Sequence, residues 1–76
     1  NPNPSIDAFR FEYDALEAEA MLMVFDMGGR LVCEKSWPRD TNHIIWDASQ
    51  VASGTYQAVI AIKGKRIAST KIVKGG

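Results

Sequence analysis

Cys33 and His43 are the only thiol and the only imidazole in these 76 residues, so they form the one cysteine–histidine pair the chain can assemble. Such a pair needs a thiolate in a polar, partly open setting. Cys33 instead follows Leu31 and Val32 in a segment with strand character, where a thiol behaves as a small hydrophobe. His43 falls in a loop or at a strand edge. A single cysteine also leaves neither an internal disulfide nor a zinc-ligand spacing. Glu12, Asp14, Glu17 and Glu19 are the candidates for paired acid and base work, but they lie on the polar side of a strand or in a turn, where charge serves solubility. Gly28-Gly29 lacks the GK[ST] or GxGxxG context of a phosphate-binding loop. Trp37, Trp46 and Tyr56 have rings that can stack on a sugar or a base, yet so short a chain needs them first for its core. This inventory points to no enzyme, no cofactor and no metal.

Nine Lys plus Arg balance nine Asp plus Glu, so no global field draws nucleic acid or an anionic membrane to the chain. No apolar run of about 18 residues is present to insert into a bilayer. The length fits one domain, burying roughly 60% of the surface its unfolded form exposes. The sequence opens Asn1-Pro2-Asn3-Pro4 without an initiating Met and reads as a piece of a longer protein, with residues 1–5 ending a linker and residues 6–76 forming the domain.

The elements that position these residues follow from alternation. Phe9, Phe11 and Tyr13 share one side of a first strand, opposite Arg10, Glu12 and Asp14. After a turn at DALEAE, a second strand covers 20–26, and Gly28-Gly29 offers the positive φ angles of a tight hairpin. A third strand over 30–37 stops at Pro38, which has no N–H to donate. Ile44, Ile45 and Trp46 make a short fourth strand, and DASQVAS is a turn with at most one helical turn in it. Gly54 opens a fifth strand on which Tyr56, Ala58, Ile60 and Ile62 share a face. Lys63-Gly64-Lys65 turns into a sixth strand over 66–74, with Ile67 and Val73 on one side and Ala68 and Ile72 on the other. Short strands with frequent turn signals predict an all-β, Ig-like antiparallel β-sandwich of six to seven strands. Its expected core holds Phe9, Phe11, Leu22, Val24, Trp46, Tyr56, Ala58 and Ile60.

One stretch breaks the alternation. AMLMVF, at 20–25, is apolar on both faces. If Ala20, Leu22 and Val24 point into the sandwich, then Met21, Met23 and Phe25 point outward as an apolar stripe. Either a loop or a neighbouring domain covers that stripe, or it is a docking face for a partner or a second copy. Methionine suits docking because its flexible thioether adapts to what it meets.

The order of PNP, a Phe-rich first strand, FDMGGRLV at 25–32, WDASQVASGTY at 46–56 and KIVK at 71–74 resembles the type A C-terminal sorting domain of the type IX secretion system of Bacteroidetes. Two departures are visible: Gly75-Gly76 follow the usual terminal Lys, and the aromatic residue often preceding PNP is absent. The resemblance implies an Ig-like sandwich that directs its parent protein across the outer membrane. It further implies recognition of the folded domain by the translocon and its outer-membrane shuttle, and in most members removal by a sortase-like peptidase. Passage through the periplasm to the cell surface or the medium follows from the same resemblance. On that reading the partner-binding residues are Met21, Met23 and Phe25, together with Lys71, Ile72, Val73 and Lys74, whose two lysines are displayed, and the stripe favours a homodimer. An Ig-like spacer or carbohydrate-binding accessory module of a surface enzyme is the alternative.

Overall fold

A computed structural model describes residues 8–13 and 18–75. The expectations for residues 1–7 and for Asp14 and Glu17 lie outside the described residues. Among the described residues six strands follow one another: β1 Ala8–Glu12, β2 Ala20–Asp26, β3 Leu31–Trp37, β4 His43–Asp47, β5 Gly54–Ile62 and β6 Lys65–Lys74. Pairing is antiparallel throughout, with β1 and β4 in one sheet and β3-β2-β5-β6 in the other. Among the described residues there is no helix, and 48–53 is a series of bends and turns.

The two sheets close over one core because the alternating residues of each face the other. Phe11, Ile44 and Trp46 come from the small sheet, and Leu22, Val24, Trp37, Tyr56, Ala58 and Ile60 from the large one. Phe9 packs at the margin, stacked on Trp46 at 5.9 Å between ring centroids, while Tyr56 meets Trp46 edge-on at the same distance. Every expected core residue therefore belongs to this cluster or rests against it. Trp37 is wholly buried, and its Nε1 donates to the Thr41 carbonyl at 2.7 Å, which anchors the crossing from the large sheet to the small one. Lys35 Nζ spans the same gap and donates to the Ile45 carbonyl at 2.8 Å.

Both hairpins form where glycine signals them, with corrections in detail. In the first, Gly29 alone has positive φ (85°); Gly28 does not, because Asp26 does part of the work. Asp26 Oδ1 accepts the N–H groups of Gly28 and Arg30, each at 2.9 Å, which winds the turn from its side chain. In the second, the two loop residues are Lys63 (φ 53°) and Gly64 (φ 79°), the double left-handed geometry of a two-residue hairpin, and Lys65 already belongs to β6. The simple alternation expected along β6 is also corrected. Ile60 pairs with Ala68 but Ala61 pairs with Arg66, so Ile67 is a bulge residue and both Ile67 and Ala68 rest against the core.

Candidate functional site

The WDASQVASGTY segment is fastened from several sides. Ser49 N–H donates to Asp47 Oδ1 at 2.9 Å, and this hydrogen bond is the main reason the Asp47 carboxyl sits below its ordinary pKa. Val51 N–H donates to the Ala48 carbonyl at 3.2 Å, closing a tight turn around a fully buried Ala48. Tyr56, buried at the start of β5, donates its hydroxyl to the Ala52 carbonyl four residues upstream, the arrangement known from sandwich folds as a tyrosine corner. The last fastening comes from β6. Lys74 is 9% exposed, and its Nζ donates to the Ala48 carbonyl at 2.7 Å and to the Val51 carbonyl. The lysine that the sequence places on display is therefore turned inward, a correction whose cause is strand parity: Lys74 sits on the same side of β6 as Ile72, and Ile72 packs on the core.

The register of the large sheet brings the remaining candidates together. Met23 pairs with Val59 and Val59 with Ser69; Phe25 pairs with Gln57 and Gln57 with Lys71; Thr55 pairs with Val73. Paired residues point to the same side of a sheet. Met21, Met23, Phe25, Lys71 and Val73 consequently share its outer face, opposite Leu22, Val24, Ala58 and Ile60. Two separate stretches of sequence thus become one surface, from which Ile72 and Lys74 are excluded.

That face is less open than a bare stripe. Met21, Met23 and Phe25 are half-buried, and beside them Val59 and Ala61 are buried although they point away from the main core. They form a second, thin apolar layer on the outside, and a shallow concavity next to it is lined by Met21, Met23, Glu34, Ser36, Ala61 and Gly64. Val59 and Ala61 escape the alternation argument because AVIAI, at 58–62, is apolar at every position, the same signal that AMLMVF gives. Among the described residues, the most exposed large apolar side chains lie along the same sheet or its first hairpin: Met27 (78%), Val73 (62%) and Leu31, which pairs with Phe25. Ile45, on the small sheet, is the exception.

The nucleophile candidates do not converge. Cys33 is half-buried opposite Val24 and rests on the core, and burial raises its thiol pKa, with Lys35 only partly opposing. His43 stands on β4 in the other sheet, its Nδ1 3.2 Å from Asn42 Oδ1. Glu12 pairs with Arg10 at 2.6 Å in solvent, and Glu19 accepts from Ser36 Oγ at 2.7 Å. Trp37 and Trp46 lie in the core rather than at a surface where a sugar could stack. Among the described residues no group of three metal-ligating side chains assembles.

No curated protein and no solved structure matches the chain. The family described as secretion system C-terminal sorting domain does, over residues 1–74, and it is a family of sorting signals rather than catalysts, which leaves the accessory-module reading without support. Sheet order, the first hairpin and the fastened turn account for FDMGGRLV, WDASQVASGTY and KIVK, while PNP lies outside the described residues. The chain belongs to the secretion system C-terminal sorting domains, signals for type IX secretion that engage the secretion machinery and direct export toward the cell surface or the extracellular space.

Proposed function

We propose that the secretion machinery recognises this domain in its folded state, through the outer face of the four-stranded sheet. The observation that carries the reading is the register that sets Met21, Met23, Phe25, Lys71 and Val73 on one surface. A surface assembled from β2 and β6 exists only once β5 lies between them, so it distinguishes a folded domain from an unfolded tail. Its chemistry suits a protein partner: adaptable methionines lining a shallow concavity and a phenylalanine further along the same strand, with Lys71 and Arg66 supplying positive charge at one margin and Glu34 negative charge at the other. The proposed partners are the translocon with its outer-membrane shuttle, and then the sortase-like peptidase that removes the domain after passage through the periplasm. Residues 6–76 are the unit recognised, and residues 1–5 are the end of a linker. The same face joins two copies at high concentration.

The test is export of a full-length cargo from a type IX secreting host. The variant Met21→Thr, Met23→Thr keeps strand propensity and removes the apolar side chains, and Lys71→Ser, Val73→Ser removes the β6 margin. Each is expected to leave folded, unprocessed cargo inside the cell. Normal export of both would refute the outer-face reading, and an unchanged sedimentation profile in the methionine variant at high concentration would remove the homodimer.

A further inference from the structure

Lys74 is a charged residue held inside the domain at the end of β6, and recognition through the outer face makes no use of it. Its stem lies along the core side of the strand, and its ammonium meets the Ala48 and Val51 carbonyls of the turn between β4 and β5. An ammonium has three protons to give and no acceptor, so it can serve both carbonyls at once, the Ala48 oxygen beside the N–H that Val51 already donates to it. The backbone of Lys74 pairs with Gly54 at the far end of the same turn, so one residue holds both the turn's interior and its exit.

We infer that Lys74 is a positioning residue of the sorting signal: it latches the 48–53 turn to the last strand, and its contribution to export passes through that latch and not through contact of its charge with a receptor. This rests on the reading of the folded domain as the recognised species. It divides the KIVK segment by role. Lys71 and Val73 face outward as contacts, while Ile72 and Lys74 face inward and hold the strand that presents them. On this inference lysine suits the position better than its nearest substitutes. Methionine fills the space without donating, and arginine keeps the charge but replaces a compact three-proton head by a planar fork that cannot adopt the same place between two carbonyls.

The experiment uses full-length cargo carrying Lys74→Met, Lys74→Arg or Lys71→Met. Amide exchange of residues 48–53 is followed by mass spectrometry, and export from a type IX secreting host is measured in parallel. Both Lys74 variants are expected to exchange at least tenfold faster in 48–53 and to lose most of their export. Lys71→Met is expected to leave that exchange unchanged. Unaltered exchange in Lys74→Met would overturn the latch. Normal export of either Lys74 variant despite a loosened turn would overturn its role in sorting, and normal export of the arginine variant alone would show that the charge itself is read. Failure of the outer-face reading has a different signature, normal export of both Met21→Thr, Met23→Thr and Lys71→Ser, Val73→Ser, and it leaves the exchange result standing.

Discussion

Lys71 and Lys74 are the same residue type on one strand and have opposite fates, because three positions along a strand change the side of the sheet. Lys71 is exposed, so Lys71→Ser should alter stability by no more than about 0.5 kcal/mol. Lys74→Ser removes hydrogen bonds to buried carbonyls and should cost about 1–3 kcal/mol, read as a lower urea midpoint at constant slope. That difference was legible in the alternation of Ile72 with Val73; it is obscured by the general rule that lysines face water, which a carbonyl-lined pocket overrides. Cys33 gives a pH test. Its pKa is raised by burial, so the folded state favours the thiol. The stability this contributes is complete below the free thiol's pKa, about 8.5, and is lost as pH rises from there through the raised folded value. Cys33→Ala should flatten that alkaline decline, and the native protein should react slowly with thiol reagents at neutral pH.

At the scale of the element, the hairpins were legible from glycine and the bulges were not. Gly29 and Gly64 mark their turns because positive φ costs glycine little. Gly29→Ala should therefore destabilise by about 1 kcal/mol in denaturant titration. Lys63 occupies the same left-handed region with a full side chain, a strain of about 1–2 kcal/mol. Lys63→Asn, which gives the favoured Asn-Gly pair of a two-residue hairpin, should raise the melting midpoint, and a fall would show that Lys63 makes a compensating contact. The register slips at Val24/Phe25 and at Ile60/Ala61 come with no composition signal, since each is set by how a strand must twist to follow its neighbour. That is why Ile67 and Ala68 both reach the core when alternation would separate them.

For the whole molecule, the double-sided apolar strand resolves into two layers: a main core between the sheets and a thin outer layer of Met21, Met23, Phe25, Val59 and Ala61. The main core followed from period-two patterning; the union of the methionine stripe with Lys71 and Val73 did not, because it depends on the order β3-β2-β5-β6, which no local pattern specifies. Charge is also divided along the chain. The nine carboxylates end at Asp47, and Lys63, Lys65, Arg66, Lys71 and Lys74 follow without a single acidic residue, so a neutral total conceals a basic β5–β6 side. Engagement of that side should weaken with added salt. Folding itself is expected to be a condition of export. Trp37→Ala removes a wholly buried side chain at a cost of about 3–5 kcal/mol, comparable with the full stability of so small a domain. The variant should lose its near-ultraviolet circular dichroism and remain inside the cell. The most direct measurement is site-specific photo-cross-linking in a secreting host, with a photoreactive residue at Met23 or Lys71 on the outer face, or at Arg10 or Ile45 on the small sheet. Cross-links to the secretion machinery from Met23 and Lys71, and few from Arg10 and Ile45, are the predicted result. Equal or stronger cross-linking from the small sheet would contradict recognition through the outer face.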